Sequence, residues 1–291
     1  MMRQRRRLAG RSVAAIAALS LGLAAPACAE PAPAASRIVS LNVCLDPLVL
    51  ALAPRSRIAA LTTLAADPTL STVAGDVAGI PLVRGTAEEV LALDPDLILA
   101  GSYTTGPTVD LLKRLGRRVV VVPLPNSIAD ITATIRTVAI AVGEEARGQD
   151  VIRAFERGLA MAAAAPVGKR PSALVYHVNG LVSGGGSLLD EALGLAGFRN
   201  ASADHRLGRG GRLDLEAIIA RPPDLLVLAQ PPDAFRTVAA DNVRHPALAA
   251  VLKTTPSMVL PMPLWLCGTP AIAAAVAQLS EVRVKMTGTA R

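Results

Sequence analysis

The sequence predicts an α/β protein of two parallel-sheet lobes, joined by one long backbone helix. The first observation is an internal repeat: "AEEVLALDPDLILA" from Ala87 and "LEAIIARPPDLLVLA" from Leu215 align without a gap and place Glu88 and Glu216 in register, 128 residues apart. Each copy reads as a helix, a Pro-Asp turn and an apolar strand. The second observation is that short apolar strands alternate with helical segments around both copies, which is typical of parallel α/β sheets. The third is that the passage between the two halves has only helical spacing.

The individual elements follow from apolar runs, from residue spacing and from Gly and Pro stop signals. The predicted strands are residues 37–41, 57–62, 97–100, 119–122, 173–177, 224–229 and 257–262. The predicted helices outside the middle passage are residues 46–54, 108–116, 187–197, 245–252 and 269–282. We therefore expect a first lobe over residues 36–143, a linking helix over 144–166 and a second lobe over 170–287. At 1.5 Å per residue the linking helix would span about 30 Å, which is enough to bridge two lobes.

The amino terminus predicts export. Five arginines within the first eleven residues precede a short apolar run that ends in the small residues Ala27-Cys28-Ala29. This pattern is typical of a secretory signal peptide over residues 1–29, cleaved after Ala29, and it predicts a periplasmic location. A lipoprotein anchor at Cys28 is the weaker alternative, because Ala25-Pro26-Ala27 makes a poor lipobox. Cleavage would lower the formal charge from +7 to +2, which removes the argument for a nucleic-acid partner.

Residues that follow the predicted strands are candidates for ligand contact, because ligands of open parallel sheets bind beyond the carboxyl ends of the strands. Aromatic residues make up only 2% of the chain, yet both tyrosines and the single tryptophan lie at or beside the ends of such strands. Aromatic side chains bring a large contact area, although local packing would explain the same positions. The candidates in the first lobe are Asn42, Cys44, Ser102, Tyr103 and Thr104. The candidates in the second lobe are Tyr176, His177, Asn179, Trp265 and Cys267.

Two cysteines of the expected mature chain, Cys44 and Cys267, form an even pair in an oxidising compartment. Each follows a predicted strand, and the two belong to opposite lobes. A disulfide between them would hold the lobes together, whereas two free thiols would line the cleft. The sequence leaves both alternatives open.

Two glycine-containing loops suggest anion binding. The loop "DHRLGRGGRL" carries Arg209 and two further arginines, which would grip an anionic ligand or remain solvated. The run "SGGGS" at residues 183–187 precedes a helix and would offer backbone amides to an anion, or form an ordinary turn.

The sequence argues against an enzyme. Its three histidines stand in separate segments without metal-ligand spacing, so we expect no metal site and no cofactor. The rival hypothesis is a periplasmic serine hydrolase that uses Ser183 or Ser187 with His177, although no nucleophile-elbow motif is present.

Several motifs together resemble one family over residues 36–285. They are "RIVSL", the two copies of the repeat, "LLKRLGRRVVVV", "GGSLLDEALGLAGFRN" and "LPMPLWLCGTP". The chain resembles the periplasmic solute-binding proteins of ABC importers for iron–siderophores, haem and cobalamin. The resemblance implies a binding protein without catalysis, a monomer that takes up one small-molecule metal chelate in a ligand cleft between its two lobes. It also implies that Glu88 and Glu216, one in each lobe, dock onto arginines of the membrane permease dimer. A chelate sensor that docks onto a receptor would be an alternative use of the same two glutamates.

The resemblance is less informative about the ligand. A cobalamin-binding member would carry several aromatic residues after the third strand and charged residues in the last loop, where this chain has Tyr103 and Trp265. Haem-binding relatives have a tyrosine ligand before the repeat, where this chain has Arg84. Arg84, Arg209 and Trp265 suit a ferric siderophore, so the resemblance favours an iron–siderophore, with a corrinoid as the runner-up.

Overall fold

The computed structural model describes residues 35–104, 106–164, 168–229, 231 and 241–288. The predicted signal peptide of residues 1–29 and its cleavage site lie outside the described residues. Within these ranges, no helix combines the length and the apolar character that crossing a membrane requires.

The first lobe is built on a parallel sheet of five strands within the described residues, in the order β3-β2-β1-β4-β5. Its central strands are apolar and fully buried, as expected for a sheet that helices cover on both faces. The parallel sheet predicted for this lobe is confirmed. The strands are β1 (Ile38–Ser40), β2 (Ile58–Thr62), β3 (Leu82–Val83), β4 (Leu97–Gly101) and β5 (Val119–Val122).

The helices of the first lobe begin at positions that the sequence marks. Pro47 lies in the first turn of α1, where a missing N–H costs nothing. Thr86 precedes α2, and its Oγ1 accepts a hydrogen bond from the Glu89 N–H at 3.3 Å. The Glu89 carboxylate reaches back to the Arg84 N–H at 2.9 Å, so Thr86 and Glu89 each bind a backbone donor at the start of α2. The helices are α1 (Asp46–Leu52), α2 (Ala87–Ala92) and α3 (Gly106–Arg114).

Two helices connect the lobes, α4 (Ile128–Val142) and α5 (Glu145–Ala162). They are separated by Gly143, which adopts the left-handed conformation at φ 75° that ends α4. The two helices pack closely, because a Cβ on Gly148 would lie only 2.5 Å from the Ala139 Cβ. The Arg57 guanidinium of the first lobe ties this junction together by donating to the Val142 carbonyl and the Glu144 carboxylate.

The second lobe has a mixed sheet in the order β11-β10-β6-β7-β9, with β8 beside β6. Strands β6, β10 and β11 are parallel, as predicted, whereas β7 runs antiparallel to both of its neighbours, β6 and β9. The antiparallel pair corrects the prediction of a wholly parallel sheet. The strands are β6 (Ser172–Tyr176), β7 (Leu181–Ser183), β8 (Arg199–Asn200), β9 (Gly210–Arg212), β10 (Leu225–Leu228) and β11 (Ser257–Val259).

The helices of the second lobe include the second copy of the repeat. Both copies form the predicted unit, since α2 leads into β4 and α7 leads into β10. The last helix, α10, packs against both α5 and α6 and so connects the second lobe with the linking segment. The helices are α6 (Leu188–Leu195), α7 (Leu215–Ala220), α8 (Asp241–Arg244), α9 (Pro246–Thr254) and α10 (Ile272–Gly288).

Candidate functional site

A cavity of about 230 Å³ lies between the two lobes. The first lobe contributes residues that follow β1, β4 and β5, and the second lobe contributes the segment before α10. The cavity therefore lies beyond the carboxyl ends of parallel strands, where this class of sheet binds ligands. Its wall is formed by Asn42, Cys44, Leu45, Leu48, Gly101, Ser102, Tyr103, Val122, Pro123, Leu124, Pro125, Thr134, Leu266, Cys267 and Gly268.

Hydrogen bonds fix the loop after β1. The Asn42 Oδ1 accepts from the Cys44 N–H at 2.9 Å, so this side chain shapes the turn that carries Cys44. Gly101 lies directly against Asn42, because a Cβ on Gly101 would stand 2.4 Å from the Asn42 Nδ2. The Thr104 Oγ1 accepts from the Gly101 N–H at 2.9 Å and donates to the Leu41 carbonyl at 3.3 Å. Asn42 and Thr104 thus hold the ends of β1 and β4 in register.

Tyr103 is the most prominent side chain at the rim of the cavity. Its side chain is part of the wall, yet the residue is 84% exposed. A tyrosine in this position combines a flat apolar ring with a hydroxyl group, both free to meet a ligand that enters from solvent.

The structure contains a disulfide between Cys44 and Cys267, whose Cα atoms lie 4.8 Å apart. This bond answers the question that the sequence left open, and it joins the first lobe to the second across the cavity. Two further contacts cross the same boundary. The Ile128 N–H donates to the Glu191 Oε2 at 2.7 Å, and a Cβ on Gly268 would lie 2.9 Å from the Pro125 Cβ.

Trp265 directly precedes Leu266 of the cavity wall, and its ring packs against His177 of the same lobe. Their ring centroids are 5.0 Å apart in an edge-to-face arrangement, and the Trp265 Nε1 donates to the Leu260 carbonyl at 3.1 Å. Burial lowers the pKa of His177 from 6.5 to about 4, so the imidazole is neutral near pH 7.

His177 also contacts Ser183, with 2.8 Å between the His177 Nε2 and the Ser183 Oγ. This is the contact that the hydrolase hypothesis requires. However, a general base works best when its pKa lies near the operating pH, and burial has moved His177 far below that range. The alternative nucleophile, Ser187, is committed to the start of α6: its hydroxyl donates to the Gly184 carbonyl at 2.7 Å and accepts from the Asp190 N–H.

The other predicted contact residues stand apart from the cavity wall. Tyr176 is buried in the core of the second lobe, and Asn179 lies near it with a left-handed φ of 60°. The Arg84 side chain is 82% exposed and faces Glu89, with 3.7 Å between the charged groups. Arg209 is exposed in the loop before β9. Among the described residues, the predicted contacts outside the cavity wall are Arg84, Thr104, Tyr176, His177, Asn179, Arg209 and Trp265.

The glycine run before α6 forms a packed turn and does not leave its amides open to an anion. The Gly185 N–H donates to the Gly208 carbonyl at 2.7 Å, and the Gly186 N–H donates to the Asp190 Oδ2 at 2.9 Å. The two glycine-rich segments touch, because a Cβ on Gly184 would lie 2.1 Å from the Gly210 N. The ordinary-turn alternative is therefore the correct one for residues 183–187.

The apolar part of the wall was not predicted. The predicted contacts of the first lobe follow β1 and β4 but not β5, where Pro123, Leu124 and Pro125 line the cavity. The signal that could have found them is the polar and proline-rich "PLPNS" directly after the "VVVV" strand. Leu45 and Leu48 carry no such signal, because an apolar residue of α1 looks the same whether it faces a core or a ligand.

The two glutamates of the repeat occupy matching positions. Glu88 lies in the first turn of α2, Glu216 lies in the first turn of α7, and both are exposed. The helix starts differ in one detail. Thr86 caps α2 with its side chain, whereas Asp214, in the same position before α7, makes no capping hydrogen bond with its side chain. A second cavity, of about 340 Å³, lies beside Glu216.

The part of the chain that the structure describes holds no group of three or more His, Cys, Asp or Glu side chains that could bind a metal ion directly.

Two α/β lobes that enclose a cavity at the ends of their strands define a bilobal solute-binding protein. Residues 38–257 match the family described as "Periplasmic binding protein", and the chain belongs to this family. It thus belongs to the extracytoplasmic binding proteins that serve importers, as the sequence resemblance implied.

Solved structures of similar proteins share this fold. The periplasmic haem-binding protein from Roseiflexus sp. RS-1 in its apo form superimposes with a TM-score of 0.69 at 22% identity, covering 86% of this chain and 98% of that one. A possible iron-binding periplasmic protein from Staphylococcus epidermidis superimposes with a TM-score of 0.68 at 18% identity, covering 85% of this chain and 98% of that one. The periplasmic vitamin B12-binding protein of Vibrio cholerae superimposes with a TM-score of 0.63 at 18% identity, covering 87% of this chain and 98% of that one. A sequence search of curated proteins found no match.

Proposed function

We propose that this chain is the substrate-binding component of an ABC importer, a periplasmic monomer that captures a metal chelate between its lobes and delivers it to the membrane permease. The observation that carries the proposal is the cavity between the lobes, to which the first lobe contributes residues at the ends of its strands and the second lobe contributes the segment before α10. Membership of the periplasmic binding protein family supports the same function.

The chemistry of the wall favours a neutral chelate. Its fifteen residues are mainly apolar and include no Asp, Glu, Lys, Arg or His. A buried site without countercharge disfavours a ligand with high net charge, because desolvation of that charge would not be offset. Ferric trihydroxamates are neutral, since three hydroxamate anions balance Fe³⁺, whereas ferric tricatecholates carry three negative charges. We therefore favour an iron–siderophore of the hydroxamate type.

A corrinoid is the second candidate. The observation that favours it is Tyr103, which offers an exposed aromatic ring at the rim of an apolar cavity, suited to stacking against a planar macrocycle. One structural relative is a vitamin B12-binding protein, and others are haem-binding proteins. The chelate is cargo in either case, and the protein's own residues supply shape, apolar surface and a few polar groups.

We further propose that Glu88 and Glu216 are the contacts with the permease. The internal repeat displays one exposed glutamate from each lobe, at the same position of the same structural unit. Two symmetric acidic groups fit a dimeric partner that presents one basic group from each subunit. Such charge pairs speed the encounter of the two proteins and fix their orientation.

A catalytic function is less well supported than a binding function. The Ser183–His177 pair has the contact distance of a nucleophile and its base, but the family consists of solute-binding proteins and the histidine is a weak base.

The proposal is tested by titrating the purified chain that starts at residue 30 with ferric hydroxamate, catecholate and citrate complexes, haem, cobalamin and cobinamide. Trp265 is the only tryptophan, so its fluorescence reports from one place beside the cavity wall. The titration is run on oxidised and on reduced protein and repeated by calorimetry. Saturable binding of one chelate at 1:1 stoichiometry supports the proposal. Absence of binding to every chelate in both redox states would contradict it.

A further inference from the structure

The cavity is small for the proposed cargo. Sites for drug-sized ligands have volumes of about 300–1,000 Å³, whereas this one has about 230 Å³. A ferric siderophore or a corrinoid is at least as large as a drug molecule. Such a ligand is held completely between the lobes only if they separate further at this point.

The contacts that close the cavity differ in kind. The hydrogen bond from Ile128 to Glu191 and the packing of Gly268 on Pro125 are non-covalent, and both can open with thermal motion. The bond between Cys44 and Cys267 is covalent and joins two residues of the cavity wall itself. Thermal motion does not break this bond, so it limits how far the two lobes can part.

We propose that the Cys44–Cys267 disulfide is a redox gate on the ligand site: the oxidised protein is closed to the chelate, and reduction admits it. This inference rests on the proposed function and adds a form of regulation to the same site. Its partner is a dithiol reductant, of the kind that thiol–disulfide oxidoreductases with two neighbouring cysteines provide.

The exchange has a defined direction. Cys267 is only 6% exposed, whereas Cys44 is half-buried, so the Sγ of Cys44 is the accessible atom for attack. A thiolate of the reductant attacks this Sγ, the bond to Cys267 breaks, and Cys267 leaves as a thiolate. The second thiolate of the reductant then attacks the mixed disulfide and releases Cys44. Two electrons pass to the protein disulfide, two protons convert its thiolates to thiols, and the reductant leaves as a disulfide.

The environment suits a gate rather than a core staple. The cysteines lie in loops that follow β1 and precede α10, and the other wall residues of the second lobe are Leu266 and Gly268. Each lobe keeps its own sheet when the bond is broken, because no sheet contains strands from both lobes. Reduction is therefore expected to open the cavity without unfolding either lobe.

The test compares chelate binding by oxidised wild type, reduced wild type, and the variants Cys44→Ser, Cys267→Ser and the double variant. The chain that starts at residue 30 contains only these two of the three cysteines, so a phosphine reductant acts on one bond. The reductant is removed under nitrogen before the titration, and thiol alkylation with mass spectrometry verifies each redox state. If the open form is below a tenth of the oxidised population, reduced wild type binds at least about tenfold more tightly.

The serine variants are the matched controls, because they remove the bond but respond to no reductant. They are expected to bind like reduced wild type under both conditions. Equal affinity and equal association rate for oxidised wild type and all three variants would overturn the gate.

A ligand-independent measurement separates the gate from the proposed function. Hydrogen–deuterium exchange of residues 42–48 and 264–268 should accelerate on reduction of wild type and be fast in the double variant. If exchange accelerates but no chelate binds in any form, the proposed function fails and the gate stands for another ligand. If exchange is unchanged by reduction, the gate is overturned whatever the chelates do.

Discussion

The carboxylate of Asp224 accepts hydrogen bonds from both the backbone N–H and the hydroxyl of Ser172, at 2.7 and 2.8 Å. Asp96 binds the N–H and the hydroxyl of Ser36 in the same way, each at 2.7 Å. Each aspartate ends a Pro-Asp turn of the repeat, and each serine lies at the start of the first strand of its lobe: Ser36 two residues before β1, and Ser172 as the first residue of β6. The repeat is thus longer than the aligned stretches, because it includes the partner that fixes β4 beside β1 and β10 beside β6.

We expect Asp224→Ala to lower the free energy of unfolding by about 1–2 kcal/mol, since two hydrogen bonds to a partly exposed carboxylate are lost. The backbone N–H of Ser172, and then its hydroxyl, lower the pKa of Asp224. A carboxyl with a lowered folded-state pKa stabilises the protein above its unfolded pKa, and this contribution is lost as the pH falls through the folded pKa. Urea unfolding at neutral and acidic pH measures both effects. Asp110→Ala, on the exposed side of α3, is the control and should change little; an equal loss in both variants would argue against the turn.

Gly101 is expected to control the shape of the ligand site through Asn42. An alanine at 101 would place its Cβ 2.4 Å from the Asn42 Nδ2, so Asn42 must rotate and release the Cys44 N–H. We expect Gly101→Ala to weaken chelate affinity about tenfold, which corresponds to 1.4 kcal/mol. Gly106→Ala is the matched control, because a Cβ there meets no atom within 4 Å. Calorimetric titration of both variants tests this prediction. Unchanged chelate affinity in Gly101→Ala would show that Asn42 does not shape the ligand site.

Reversal of charge at the two glutamates separates binding from delivery. We expect Glu88→Lys and Glu216→Lys each to reduce uptake of the chelate strongly and the double variant to abolish it. In the double variant, two lysines would face the two basic groups of the permease and repel them. Chelate affinity in solution should stay unchanged, since neither side chain lines the cavity between the lobes. Glu156→Lys on the exposed face of α5 is the control for charge alone. Normal uptake by the double variant would show that the glutamates serve another purpose, such as helix-end stabilisation.

Sequence patterns predicted much of the fold because burial leaves a periodic signature. The apolar runs of β1, β4, β6 and β10 are fully buried, and each was predicted to within a residue or two. The strands β7 and β9 were missed for a physical reason. They pair where glycines let two backbones come close, as Gly184 and Gly210 do, and glycine carries no strand periodicity.

The site was less predictable than the fold. Strand ends pointed to Asn42, Ser102 and Tyr103, and these residues line the cavity because topology alone brings their positions together. The same rule placed Tyr176 at the cleft, but the side chain turns into the core of its own lobe, which a strand-end rule does not register. Pairing of Cys44 with Cys267 depends on a distance across two lobes, and residues separated by 223 positions give no local sign of it.

Asp46 provides the last prediction, because it is completely buried in the first lobe close to Cys44. Its Oδ2 accepts from the Thr62 hydroxyl at 2.6 Å, while its Oδ1 has no partner among the described residues. Burial raises its pKa from 3.8 to about 6, although the nearby Ser40 and Thr62 side chains act in the opposite direction. As the pH rises from 3.8 to about 6, Asp46 loses its proton in the unfolded chain before it does so in the folded protein. The free energy of unfolding therefore falls over this range. At about 1.4 kcal/mol per pKa unit, the loss approaches about 3 kcal/mol above pH 6. Asp46→Asn keeps an acceptor for Thr62 without the charge, and we expect it to stabilise the protein at pH 7 and to flatten this dependence. Urea unfolding from pH 4 to 8 measures this dependence, with the exposed Asp76→Asn as control. A destabilised Asp46→Asn at pH 7 would contradict the prediction, because it would mean that the folded protein compensates the ionised carboxylate through contacts that an amide does not reproduce.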